Sequence, residues 1–191
     1  MIAAKPFAAV ALLVALAQTV ILGSMIEGRA SILKSGTEVL LKTAPVDPRD
    51  LLRGDYVVLS YDISTIPAAL IKGAKPEAGS WGVLNVRIAP GADGFWAVAE
   101  ASFEPLPQQA GSVVLRSQPI ETFDWQWAEG GALFATYGIE RYYVPEGEGR
   151  VIEDGRNDRR VSVAARVSDD GVAQIRALML DGDPLYEEPL Y

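Results

Sequence analysis

From Pro6 to Ile26 the chain carries no charged side chain, and that run limits what the rest can fold into. A helix rises about 1.5 Å per residue, so about twenty apolar residues cross a hydrocarbon layer about 30 Å thick. No other segment is long and apolar enough to do so. The polar interruptions are Gln18, Thr19 and Ser24, whose hydroxyls and amide can bond a neighbouring turn or a partner helix. A helix lying on a globular core normally carries one polar stripe, and this run has none. We read residues 1–30 as a membrane anchor with residues 6–26 in the lipid bilayer, and residues 31–191 as a separate domain.

Lys5 precedes the run and Glu27, the first acidic residue, follows it. Every carboxylate side chain therefore falls on one side. A short positive head favours a cytoplasmic amino terminus and an exported remainder, against which Arg29, Lys34 and Lys42 are the opposing charges. The competing reading is a cleaved signal peptide, because Ala15-Leu16-Ala17 has the small-x-small form of a cleavage site. Val20, Ile21 and Leu22 extend the apolar run past that point, where a signal peptide becomes polar.

Only Lys5 of the 17 basic residues precedes the run, whereas all 25 acidic residues follow it. The resulting acidity disfavours nucleic acid and anionic lipid head groups as partners, since both are negative. The chain has no cysteine and no histidine. That excludes disulfides, thiolate nucleophiles, sulfur-bound metals and every mechanism with an imidazole base. Carboxylate pairs, Ser-Lys dyads and oxygen-bound calcium or magnesium survive, but no cofactor, metal site or catalytic residue is assigned. The exported length suits one domain with an ordinary core.

After a linker or helix continuation from Glu27 to Gly36, β signal dominates. Strand composition marks 37–43, 56–63, 81–88, 94–103, 112–116, 119–127, 132–143, 161–167 and 172–180. Turn residues at Pro90-Gly91-Ala92-Asp93-Gly94 and Ser168-Asp169-Asp170-Gly171 predict two antiparallel hairpins, the second with Asp-Gly supplying positive φ angles. Residues 145–154 and 68–73 are candidates for short helices. The expected fold is mainly β: a single transmembrane helix, then an antiparallel β-sheet or partly open β-barrel with one or two short helices.

The densest chemistry lies between Pro45 and Tyr61. Two prolines fix an extended approach, and Gly54-Asp55 turns the chain into a strand. On that strand Tyr56, Val58 and Ser60 share one face and Val57, Leu59 and Tyr61 the other. Asp47, Asp50 and Asp55 stand beside Arg49 and Arg53, so charge-assisted pairs can hold the loop. A rigid corner packed by aromatic residues explains the pattern at least as well as a catalytic site, because such loops must pair their polar groups.

Gly54, Asp55, Tyr56, Leu59 and Tyr61 complete the pattern Gly-Asp-Tyr-x-x-Leu-x-Tyr. With the approach from Pro45 to Arg53 and the downstream run from Tyr137 to Gly147, which includes Glu140, Arg141 and Tyr142, the chain resembles the membrane-anchored GDYXXLXY family named for that motif. The resemblance implies a bacterial inner-membrane protein, often encoded beside multi-spanning membrane proteins, of uncharacterised biochemical role. Leu51-x-x-Gly54-Asp55-x-Val57 is also similar to the segment after the nucleophile in signal-peptidase-like serine proteases. The serine's place there falls near Val46, which has no hydroxyl, so no acyl-enzyme can form.

Shorter patterns carry less. Ser31-Ile32-Leu33-Lys34 with Lys42-Thr43-Ala44 mimics penicillin-binding elements without their spacing. Arg53-Gly54-Asp55 reads as local pairing, and Asp154 to Asp158 and Asp181-Gly182-Asp183 as solvated turns, since neither completes a calcium loop. Core packing is expected for Trp81, Trp96, Trp125 and Trp127, with Trp125 and Trp127 on one strand face.

Three functional expectations follow. The first is a non-enzymatic, membrane-anchored module whose exported domain engages a neighbouring membrane protein or envelope component. The second is a carboxylate- or metal-dependent hydrolase using Asp47, Asp50 and Asp55, with Glu140 as a further acid. The third is a groove for a small molecule or peptide lined by Tyr56, Tyr61 and the tryptophans.

Overall fold

The computed structural model describes residues 4–45, 56–145 and 149–189. It opens with helix α1, Ala4–Ser35. Between Phe7 and Met25 its large side chains stand open all around, and the helix is long and apolar enough to cross a membrane. Thr19 donates to the Ala15 carbonyl at 2.9 Å and Ser24 to that of Ile21 at 2.8 Å. Both hydroxyls are thereby satisfied without water, the requirement for crossing hydrocarbon.

The helix does not end where the apolar run ends. Ala30 and Leu33 are buried on the β-body, a burial worth about 1.5–3 kcal/mol for the leucine. Gly36 then turns the chain directly into strand β1, Thr37–Ala44. A Cβ at Gly36 would stand 2.6 Å from the Ile32 carbonyl oxygen and 3.0 Å from that of Val167. The junction is a packed corner with no slack in it, fastened by Arg166, which donates to the Gly36 carbonyl at 3.0 Å.

Beyond the corner the body is mainly β. In chain order come β2 Tyr56–Val58, β3 Ser60–Tyr61, β4 Thr65–Pro67, β5 Ile71–Lys72, β6 Trp81–Gly82, β7 Asn85–Pro90, β8 Trp96–Ser102 and β9 Val113–Arg116. They are followed by β10 Ile120–Glu121, β11 Ala132–Phe134, β12 Arg141–Tyr143, helix α2 Gly149–Asn157, β13 Val161–Val167, β14 Ala173–Leu180 and β15 Asp183–Glu187. One sheet runs β15-β14-β13-β1-β3 and another β5-β8-β7-β9. Described pairings are antiparallel except β5 with β8. Both sheets turn apolar side chains into one core, Val39, Leu41 and Val163 from the first meeting Val86, Ile88 and Leu115 from the second.

Both expected hairpins form, β7–β8 and β13–β14. In the second, Gly171 takes φ +80°, and its carbonyl accepts from Arg116 at 2.9 Å, which ties the hairpin to β9. The expected strand over 119–127 is corrected. Only Ile120–Glu121 is extended, and Asp124–Trp127 winds into a 3-10 turn, closed by Gln126, whose amide oxygen accepts from the Phe123 N–H at 2.8 Å. Trp125 and Trp127 therefore do not share a strand face. Asp154 to Asn157 are also not a solvated turn but the end of α2. Arg159, at φ 58°, stops that helix. Asp181-Gly182 is the turn that joins β14 to β15. The strand it feeds is an edge, where Pro184 does not interrupt the ladder.

Candidate functional site

The family motif sits on β2 and β3, and alternation decides what each residue does. Val57, Leu59 and Tyr61 are each about 1% exposed, whereas Tyr56, Val58 and Ser60 are half-buried on the other face. Leu59 and Tyr61 are core residues. Tyr61 therefore cannot line a groove. Asp47, Arg49, Asp50, Arg53, Gly54 and Asp55 lie outside the described residues.

The strand partner of the motif is the downstream run. Tyr56 faces Tyr143, Val58 faces Arg141, Thr65 faces Phe134 and Ile66 faces Leu133. The same number of residues separates the two groups on each side, so β2 with β12 and β4 with β11 keep one register across the 3-10 turn Asp62–Ser64 that interrupts the strands. Between them the amide of Leu59 donates to Glu140 O and that of Ala135 to Ser64 O, both at 2.8 Å. A reciprocal clasp closes the middle: Tyr61 Oη donates to Ile139 O at 2.5 Å and Tyr137 Oη to Ile63 O at 2.7 Å. Burial, reinforced by the Glu140 carboxylate, holds both phenols above their ordinary range, so they stay protonated as donors.

Glu140 is spent on the same joint. Its Oε1 accepts from the Tyr137 N–H at 2.5 Å and its Oε2 from the Gly138 N–H at 2.9 Å. A carboxylate with both oxygens on backbone amides is a structural cap. Among the described residues no group of three or more acidic side chains is placed to hold a metal ion. Arg156 on α2 supports the ladder from behind. It is 5% exposed, and its guanidinium donates to the Val58 carbonyl at 2.5 Å.

What the ladder presents outward is aromatic and cationic. The Tyr56 and Tyr143 rings lie 5.9 Å apart at 58°, and the Arg141 guanidinium sits 5.6 Å from the Tyr56 centroid. Tyr143 is 72% exposed. Its neighbour Tyr142 turns inward instead, with its ring 6.2 Å from that of Tyr186. Burial first, and the Glu188 carboxylate second, push its hydroxyl up to about 12. Beside this face lies a cleft of about 390 Å³ lined by Arg141, Tyr142, Tyr143, Gln174, Glu188 and Arg29 of helix α1. The motif ladder and the base of the apolar helix thus share one wall.

The tryptophans divide. Trp96 packs on the core, and Trp127 meets Phe103 edge-on at 6.4 Å with Lys75 Nζ over its other side at 5.2 Å. Trp81 and Trp125 are each 67% exposed, which corrects the expectation that they pack inside. Phe123 stacks on Trp125 at 6.3 Å. Arg29, Tyr143 and Glu188 are the members of the site that sequence reasoning did not single out. They come from three distant parts of the chain, and the exposed aromatic beside a basic residue in Arg141-Tyr142-Tyr143 was the one local signal.

A family model described as GDYXXLXY protein matches residues 18–178. No curated protein matches the chain. No solved structure matches it either.

Proposed function

We propose that this chain, which belongs to the GDYXXLXY family, is a non-enzymatic membrane-anchored interaction module whose β-body engages a neighbouring integral membrane protein. In this reading α1 crosses the inner membrane of a bacterium once, and the body stands on the extracytoplasmic side. Lys5 before the apolar run supports that orientation, with Arg29, Lys34 and Lys42 after it as the opposing charges.

One observation carries the reading. Arg29 on the helix lines the same cleft as Arg141 and Tyr143, so with α1 across a membrane the Tyr56–Arg141–Tyr143 face would stand near its surface. Exposed tyrosine and arginine are the side chains most enriched at the centres of protein interfaces, and a corner without slack presents them at a fixed height.

The test is affinity capture of the full-length protein in mild detergent. Tyr56→Ala with Tyr143→Ala is expected to lower recovery of a reproducible membrane-protein partner about tenfold or more, the loss of a pair of interface anchors, while the melting temperature holds. Undiminished capture by that double variant would refute the assignment of the face.

A further inference from the structure

The cleft beside the motif ladder shares Arg141 and Tyr143 with the outward aromatic face and adds Arg29 and Glu188 to them. Arg29 stands three residues past Ile26, the end of the uncharged run. At about 1.5 Å per residue that is about 4.5 Å along the axis. The polar layer on each side of a bilayer is about 5–7 Å deep. Arg29 therefore lies among lipid head groups whenever α1 spans the membrane. The other lining residues border the same cleft.

The cleft's charges come in two kinds. Arg29 and Arg141 supply two guanidinium groups, whose planar N–H forks match phosphate oxygens. Arg141 Cζ lies 5.6 Å from the Tyr56 ring centroid, and a cation over a ring keeps its N–H groups for bonds to other acceptors. Glu188 supplies a carboxylate next to Tyr142, and a carboxylate has lone pairs beyond the one a tyrosine hydroxyl occupies. The carboxylate accepts from the N–H groups of a primary ammonium, donors that a quaternary ammonium lacks. The volume falls at the small end of the usual ligand range, about 300–1,000 Å³.

We infer that this cleft binds the zwitterionic head group of one phospholipid of the phosphoethanolamine class, its phosphate on Arg29 and Arg141 and its ammonium on Glu188. The acidic balance of the body repels lipids of net negative charge, yet leaves a zwitterion free to approach. For an anionic head group without an amine, Glu188 offers repulsion and no compensating contact. The inference goes beyond the protein partnership above, since it concerns a lipid and rests on the cleft. Partner capture is not a readout of its test.

The experiment is native mass spectrometry of the full-length chain in mild detergent, titrated separately with phosphatidylethanolamine, phosphatidylglycerol, phosphatidylcholine and soluble phosphoethanolamine. A single phosphatidylethanolamine adduct is expected, at least about fivefold tighter than the other two lipids, the scale of one charge-assisted contact. Arg29→Gln with Arg141→Gln should weaken it about tenfold or more, and Glu188→Gln should erase the preference over phosphatidylglycerol. Arg29→Gln alone replaces the double variant if loss of the Arg141 stack unfolds the ladder, and a weakened adduct is again expected. Equal binding of all three lipids, an unchanged adduct in the arginine variants, or equally tight binding of soluble phosphoethanolamine would each overturn the assignment.

Discussion

Replacing Tyr61 and Tyr137 by phenylalanine tests whether the motif is architecture. Each change removes one oxygen and keeps the ring, so packing in the core is preserved and only the clasp is lost. Tyr61→Phe leaves Ile139 O without a donor that now reaches it at 2.5 Å, and Tyr137→Phe does the same to Ile63 O at 2.7 Å. Both tyrosines are at most 3% exposed, so water cannot readily replace the hydroxyl. A buried acceptor left unpaired costs about 1–3 kcal/mol, and each kilocalorie lowers Tm about 2–4 °C in a chain of this size. Because both bonds hold the same two strands, the double variant should depart from additivity by about 0.5 kcal/mol or more. Tyr56→Phe is the control, with an expected change within about 0.5 kcal/mol for a surface hydroxyl. The assay is denaturant unfolding of the full-length protein in mild detergent, followed by tryptophan fluorescence. If Tyr61→Phe proved as stable as the parent, or cost less than Tyr56→Phe, the reciprocal clasp would not be holding the ladder.

Glu140→Ala removes both carboxylate bonds to the amides of Tyr137 and Gly138 and should cost about 1–3 kcal/mol in the same unfolding assay, with Glu140→Gln losing less. Raising pH should destabilise the body from about pH 10 upward: the Tyr142 hydroxyl is held up to about 12 when folded and those of Tyr61 and Tyr137 are raised as well, so the unfolded chain loses these protons first and gains the advantage, and Tyr142→Phe should remove only its own share of that slope. Inserting a Gly-Ser segment between Gly36 and Thr37 should leave the secondary structure seen by circular dichroism intact yet cut partner capture severalfold, because the corner at Gly36 would no longer fix the height of the Tyr56–Tyr143 face; unchanged capture would count against a role for that fixed height.

Local pattern made the helix, the two hairpins and the faces of the motif strand legible. An uncharged run, a turn dipeptide and a period of two are all written in neighbouring residues. Where the sequence misled, a specific bond or packing contact that composition does not show had won. Residues 119–127 have strand composition, but Gln126 bonds back to Phe123 and closes a turn that leaves Trp125 outside. Residues 154–158 have turn composition, yet Ile152 and Arg156 are buried, and packing carried the helix through them. Glu140 looked like an acid near other acids, and its use as a backbone cap follows from the turn at Gly138. The cleft was illegible for a similar reason: Arg29, Arg141 and Glu188 meet only once the sheet has formed.

The constant register between β2–β4 and β11–β12 explains why two separated stretches both carry the family resemblance. Strands β2 and β4, with the 3-10 turn Asp62–Ser64 between them, cannot both keep their partners unless residues 133–143 lie opposite without insertion or deletion, because a one-residue shift within a strand turns its buried side chains outward. Tyr61 and Tyr137 lock that register by bonding across the middle, and Glu140 shapes the turn that lets them do so. A register so enforced fixes its end as well, where Tyr56 must face Tyr143 and Arg141 must cover Tyr56. Pattern in the core and aromatic display at the surface are thus one constraint. It follows that residues of the clasp should affect partner capture only in proportion to the folded fraction, whereas Tyr56 and Tyr143 should affect capture at constant stability.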